Sequence, residues 1–577
     1  MIRYRLDVAD PHAHRFHVRL EVPRPGGEVT VSLPVWIPGS YMVREFSRHL
    51  SGLAASQGGV ARDVEQLDKA TWRVRCHGGA PLAIEYDAYA FDTSVRTAWL
   101  DARRGFFNGT SVFLRAHGRE DEPHRVTFGA LPRGWQVATA MNPAGRLAFE
   151  AADYHECVDH PFELGTFERL AFELRGVPHE IVVAGALPSA DLERLKADVR
   201  RIVETQIAFW HGPRRKPPYE RYVFMLNCVD DGYGGLEHRA STALIAGRRD
   251  LPRFGQKETS DGYVTLLGLF SHEFFHTWNV KRLKPREFEA LDYSRENYTR
   301  LLWFFEGFTS YYDDLLLRRA GLIDSARYLR LVARNAGAVL ATPGRFVQSV
   351  ADASFDAWIK YYRPDENTPN ATVSYYAKGA LVALALDLTL RSEGRGTLDD
   401  VMRRLWASSA GGPLGEGDIA AALAEAGGRD CSRELAEWVH GTAELPLRDR
   451  LERFGVAWSH EPASLAQRLG VKVSEGALSG VQVKQVLRAS PAERAGLAAG
   501  DELLAADGWR LRRLDDALMV QRAADAPIEL LVSRDQRVFT VRVDVPPADA
   551  GAGPVALAPA ASPGAAALAL RRAWLGD

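Results

Sequence analysis

The strongest chemical signal in the chain is Phe270-Ser271-His272-Glu273-Phe274-Phe275-His276-Thr277-Trp278, two histidines four residues apart with a glutamate directly after the first. On a helix, residues i and i+4 leave the same face, so His272 and His276 can present both imidazoles to one Zn²⁺ while Glu273 lies beside a water on that ion. These are the ligand pair and the general base of a metallopeptidase. The plain alternative is two core histidines on a buried helix.

Catalytic zinc needs a third protein ligand and an open position, and two downstream acids compete for the role. Glu296 sits in the polar stretch Asp292-Tyr293-Ser294-Arg295-Glu296-Asn297, the setting of a solvated residue at a helix start. Glu306 lies in Leu301-Leu302-Trp303-Phe304-Phe305-Glu306-Gly307-Phe308-Thr309, where burying an unpaired carboxylate costs several kcal/mol. A bound cation removes that cost, so Glu306 is the expected ligand. A buried ion pair to a Lys or Arg is the alternative.

Together these motifs resemble the gluzincin zinc peptidases related to aminopeptidase N, in which the H-E-x-x-H pair is followed by a helix like Glu306-Gly307-Phe308-Thr309-Ser310-Tyr311. The gap between His276 and Glu306 is 29 residues, longer than the eighteen of aminopeptidase N, and it fits the glycyl aminopeptidase branch. Trp278-Asn279-Val280-Lys281-Arg282 and Pro38-Gly39-Ser40-Tyr41 are similar to that branch as well. Two further segments extend the resemblance. Gly234-Gly235-Leu236-Glu237-His238 resembles the Gly-x-Met-Glu-Asn exopeptidase motif, with His238 in place of Asn. The resemblance implies that Glu237 holds the substrate's α-ammonium and that the Gly234–Gly235 strand edge pairs with its backbone. Ser374-Tyr375-Tyr376-Ala377-Lys378-Gly379 resembles the Tyr-x-Lys-Gly helix start, whose tyrosine stabilises the tetrahedral oxyanion. Register with Lys378-Gly379 favours Tyr376 for that role; Tyr375 remains the other possibility.

These side chains need a large scaffold, and 577 residues is three to four times the usual domain of about 150. Residues 1–165 run in short alternating segments, such as Phe16 to Val22 and Leu82 to Tyr86, split by Pro and Gly, which predicts an all-β domain. Helical spacing appears at Ala190 to Phe209 and dominates from Gly262 to about His440, with Leu301 to Arg319, Val373 to Arg391 and Ile419 to Ala426 the clearest helices. Ser490-Pro491-Ala492-Glu493-Arg494-Ala495-Gly496-Leu497 is similar to bacterial PDZ domains, and Arg468-Leu469-Gly470-Val471 could form the loop that captures a peptide C-terminal carboxylate; a PDZ fold serving only as a packed appendage is the alternative. The expected architecture is multidomain α+β. It comprises an N-terminal β domain (1–165), a thermolysin-like zinc catalytic domain (166–325), a helical domain completing the active site (326–456), a PDZ domain (457–546) and an Ala/Pro-rich flexible tail (547–577).

Composition narrows the partners. With 72 Lys+Arg against 74 Asp+Glu the net charge is −2, which lacks the basic field of a nucleic-acid binder. No window is apolar for long enough to span a membrane, and Met1-Ile2-Arg3-Tyr4-Arg5-Leu6-Asp7 lacks the apolar core of a secretory signal. A cytoplasmic protein is expected, or a periplasmic one if a leader has been removed. Cys76, Cys157, Cys228 and Cys431 are scattered, which reads as buried free thiols. The function expected is a zinc aminopeptidase with one Zn²⁺ per chain, acting on peptides and, as the resemblance implies, favouring N-terminal Gly or Ala. Two readings compete: an endopeptidase on the same zinc site, and a PDZ-centred binding protein with a vestigial metal site.

Overall fold

Alternation governs the N-terminal segment. In Arg15–Val22 every second side chain, Phe16, Val18, Leu20 and Val22, is fully buried while its neighbours reach solvent. The same period recurs in Glu28–Ser32 and Thr71–Arg75. In this computed structural model, which describes every residue except 394, 477, 524, 525, 548, 550–552 and 577, the segment forms one eight-stranded and two four-stranded sheets. Phe107, Phe113, Phe128 and Phe162 pack ring on ring in the core beneath them. That core runs on without a break into Val182, Val223, Leu236 and Ile245 of the next sheet.

The next sheet has five strands, β1 (Glu168–Leu174), β2 (Val177–Ala184), β3 (Tyr222–Val229), β4 (Tyr233–Glu237) and β5 (Ser241–Gly247), in the order β1-β2-β3-β5-β4. Strand β4 therefore lies at an edge, paired among the described residues with β5 alone, with Glu237 opposite Thr242. Helix α1 (Leu192–His211) crosses from β2 to the parallel β3, and Asp191 caps it by accepting the Arg194 N–H. Helix α2 (Asp261–Phe275) starts at Ser260, whose hydroxyl accepts the Tyr263 N–H at 3.1 Å. Its apolar residues are buried along its whole length, so it must pack on several sides. Gln206 of α1 ties it down by donating to the Ser271 carbonyl at 2.7 Å.

The chain divides into two compact units, residues 1–298 with 406–414, and residues 299–405 with 415–577. In the second unit the helix expected over 301–319 is interrupted: Leu302–Phe305 gives way to α3 (Gly307–Arg319) with Glu306 at the junction. Helix α4 (Tyr375–Glu393) lies against α3 at very short range. A Cβ on Gly307 would fall 2.5 Å from the Gly379 Cα, so both positions exclude side chains. Further along come β6 (Val456–His460), a six-stranded sheet with β7 (Val471–Gly476) at one edge, and β8 (Val555–Pro559), which pairs antiparallel with β6.

Residues 547–577 differ from the loose tail expected of their composition. Val555 and Leu557 are buried on β8, and helix α5 (Ala565–Leu575) buries Trp574 and Leu575 completely. The Trp574 indole N–H donates to the Tyr311 hydroxyl of α3 at 3.0 Å. Four buried apolar side chains and a pairing strand offset the ordering entropy that an Ala- and Pro-rich average suggested could not be met. Residues 548, 550–552 and 577 of that stretch lie outside the described residues. All four cysteines are free and buried, and no helix among the described residues is long and apolar enough to cross a membrane.

Candidate active site

His272 and His276 stand one turn apart at the end of α2, with ring centroids 4.7 Å apart and nearly perpendicular planes. The helix stops at His276, and the chain turns back on itself: the Lys281 N–H donates to the His276 carbonyl at 3.1 Å and the Val280 N–H to the Leu283 carbonyl at 2.7 Å. That turn forces Val280 to φ +113°, a strained value for a β-branched residue. It also brings the Asn279 carbonyl to 2.8 Å from His276 Nδ1. A neutral imidazole donating there keeps its lone pair on Nε2, the state a zinc ligand requires.

Three buried groups of the first unit converge beside this pair. Glu237, Glu273 and His276 each offer a ligand atom within 4.8 Å of the others. Two carboxylates this close repel each other in a poorly solvated setting, and a cation between them removes that repulsion. The donor set, two imidazoles with carboxylates nearby, fits zinc. Glycine backbones cover both acids. A Cβ on Gly235 would fall 2.0 Å from Glu273 Oε1, and one on Gly39, at φ +93°, would fall 2.5 Å from Glu237 Oε1. Gly234 precedes Gly235 on the edge strand β4, whose Gly235 carbonyl accepts from Arg96 at 3.2 Å.

The far end of β4 is anchored by a residue with no motif around it. Asp159 accepts from the Lys281 ammonium at 2.7 Å and from the Arg239 N–H at 3.0 Å, and it lies 3.2 Å from His238 Nδ1. Burial alone would raise the Asp159 carboxyl, but the Lys281 charge and His238 outweigh it and hold the group well below the usual carboxylate range. Burial pushes His238 down, against the pull of Asp159. One carboxylate thus clamps both the strand that carries Glu237 and the turn that follows His276. A cavity of about 900 Å³ adjoins this clamp, lined among others by Gly39, Tyr41, Glu237, Arg239, Val280 and Lys281.

In the second unit Glu306 is 1% exposed, at the break between Leu302–Phe305 and α3. Tyr375 and Tyr376 open α4, stacked at 4.7 Å; Tyr375 is fully buried and Tyr376 half-buried. Burial, then the Glu306 charge, raises the Tyr376 hydroxyl well above its ordinary value, so it stays protonated and able to donate. Lys378 is buried, and burial pushes its ammonium down. Glu296 is only partly buried, in an irregular segment rather than at a helix start.

His272, Glu273, His276, Glu237, Gly235 and Gly234 thus gather in one unit, and Glu306 adjoins Tyr376 in the other. Sequence reasoning passed over Asp159 and Tyr362. A lone Asp in a loop carries no local signal, whereas Lys281 at least stood inside a noted motif.

The chain is similar to several known proteins. Family models for the peptidase M61 N-terminal domain, the M61 glycyl aminopeptidase and a PDZ domain match residues 3–166, 265–382 and 482–534. Among solved structures, an aminopeptidase N family protein from Idiomarina loihiensis is similar over 100% of both chains, at 35% identity and a TM-score of 0.93. A point variant of the M1 zinc metallopeptidase from Deinococcus radiodurans is similar over 77% of this chain and 95% of its own, at 17% identity and a TM-score of 0.47. Legionella pneumophila aminopeptidase A in complex with aspartic acid gives 14% identity and a TM-score of 0.47 over 76% of this chain and 49% of its own. None of the curated proteins matches the chain.

Proposed function

The chain belongs to the M61 glycyl aminopeptidase family, a zinc metallopeptidase family, and on that premise we propose that it removes single N-terminal residues from peptides, favouring small ones such as Gly or Ala. His272, His276 and Glu306 would hold one zinc ion per chain. When bound, that ion polarises the scissile carbonyl and brings the pKa of a water to about 7. Glu273 takes the proton of the attacking water and hands it to the leaving amine. Glu237 pairs with the substrate ammonium, which fixes the cut one residue from the N-terminus. The outer edge of β4 at Gly234 and Gly235, where Arg96 donates to the Gly235 carbonyl, accepts the substrate backbone as an added strand. Tyr376 donates a hydrogen bond to the oxyanion as it forms.

The observation that carries this reading is the closeness of Glu237 to Glu273 and His276, all within 4.8 Å. A carboxylate beside the base that is not itself needed as a zinc ligand is what an enzyme that senses a free amine requires. The small-residue preference rests on the family alone, and a panel of aminoacyl reporters tests it. Glu237→Ala should keep zinc, lower kcat/KM for an alanyl reporter at least tenfold, and shrink the discrimination against the N-acetyl form. Equal cleavage of free and acetylated reporters by the unaltered enzyme would make it an endopeptidase. The edge strand β7 and the turn at Gly470, which has φ +71°, are the groups we propose for peptide C-termini in the PDZ domain.

A further inference from the structure

We propose that the Tyr362 hydroxyl is a second donor to the oxyanion, acting beside Tyr376. The inference rests on the reading of Tyr376 given above. Tyr361 and Tyr362 enter a turn in which the Asp365 N–H donates to Thr368 Oγ1 at 2.7 Å and the Asn367 N–H to Asp365 Oδ1 at 3.0 Å. The Tyr362 N–H is fixed as well, donating to the Ala357 carbonyl at 3.1 Å. The turn folds the chain back onto the start of α4. There the Tyr361 ring lies 4.9 Å from Tyr375 and stacks on Tyr376 at 5.2 Å, and Tyr362 meets Tyr361 edge-on at 5.6 Å. Four rings from two segments thus hold one another in place, which limits the rotation of the two hydroxyls at their rim.

Those hydroxyls, of Tyr362 and Tyr376, are 3.4 Å apart. A relaxed O–H···O bond is about 2.7 to 2.8 Å, so the pair is too far apart for either to be the other's best partner. Two donors each about 2.8 Å from a common acceptor can, however, stand 3.4 Å apart. The spacing is that of two groups converging on one oxygen. A tyrosine hydroxyl carries one O–H donor, so Tyr376 can supply a hydrogen bond without acting as a base. Neither tyrosine gives up its proton; each supplies a hydrogen bond that strengthens as negative charge develops, the condition for lowering kcat when it is removed.

The test compares Tyr362→Phe, Tyr376→Phe and the double variant, each checked for zinc content and thermal midpoint. The readouts are kcat and KM on an alanyl reporter and calorimetric affinity for an aminophosphinic transition-state analogue. Tyr362→Phe should keep zinc and KM, lose about 10- to 100-fold in kcat, and bind the analogue more weakly by a similar factor. The double variant should fall below either single one. Activity and analogue affinity of Tyr362→Phe within twofold of the unaltered enzyme would overturn the proposal. So would a double variant equal to Tyr376→Phe, which would reduce Tyr362 to orienting its neighbour. A fully active Tyr376→Phe would instead remove the oxyanion reading itself, a result distinct from either.

Discussion

His276 shows how a single backbone carbonyl sets the chemistry of a side chain. With Nδ1 committed to Asn279, the ring has one lone pair to give, and the strained Val280 is what holds that carbonyl in place. Glu306 is fixed differently, by sitting where the helix breaks among Trp303, Phe304, Phe305 and Phe308, all of them fully buried. The first prediction belongs here. Glu306→Ala should lose both zinc and activity, because a two-histidine site binds the ion far more weakly, whereas Glu296→Ala should retain both. Elemental analysis of the two purified variants decides between them, and loss of metal from Glu296→Ala would reverse the assignment. Much of this scale was legible in the sequence. His272, Glu273 and His276 announce themselves by spacing, and Glu306 by being the only charge in an apolar run. Asp159 and Tyr362 were not, since their partners lie 79 and 14 residues away, beyond intervening turns that no local pattern reveals.

At the scale of elements, period-two and helical patterns placed most strands and helices, because burial on one face imposes them. The pattern could not show the interruption at Glu306, since apolar residues continue on both sides of it. It was also silent on how closely α3 and α4 approach. A Cβ at Gly379 would lie 2.6 Å from the Trp303 carbonyl and 2.9 Å from the Gly307 Cα, neither of which can rotate away. Gly379→Ala should therefore push the helices apart, at a cost of about 1 to 3 kcal/mol. Glu306 and Tyr376 flank this contact, so kcat should fall along with the thermal midpoint. An Ala variant with an unaltered midpoint and unaltered kcat would show that the helices yield without cost. The same close approach explains why a glycine directly follows Glu306 and another lies three residues after Tyr376.

At the scale of the whole molecule, the PDZ domain is an insertion in a hairpin. His460 at the end of β6 faces Val555 at the start of β8, and the Glu461 N–H donates to the Pro554 carbonyl at 2.9 Å. Joining the two strands by a short turn in place of residues 461–554 should leave a folded, zinc-binding enzyme active on reporter substrates. Ending the chain near Trp458 should not, although sequence alone makes that a natural boundary. The longer cut removes β8 and α5, and Trp574→Ala alone should cost about 3 to 5 kcal/mol. Beneath Trp574, Tyr311 donates to Asp387 at 2.6 Å, Asp387 accepts from Arg391 at 2.9 Å, and Asp399 accepts from Arg319 at 2.9 Å. Despite its burial, Arg319 and Arg391 keep Asp399 below its ordinary value, so that carboxylate stays ionised and depends on the cluster staying closed. Thermal melts of the two deletion proteins separate these outcomes. The order of the chain adds a consequence in time. A ribosome makes α3 and α4 early and α5 only after the PDZ segment, so the helices that carry Glu306 and Tyr376 receive their last packing partner near the end of synthesis. If that packing is needed for activity, a nascent chain should gain peptidase activity only after the PDZ segment and α5 have both emerged, which a series of stalled nascent chains assayed on a reporter substrate would show.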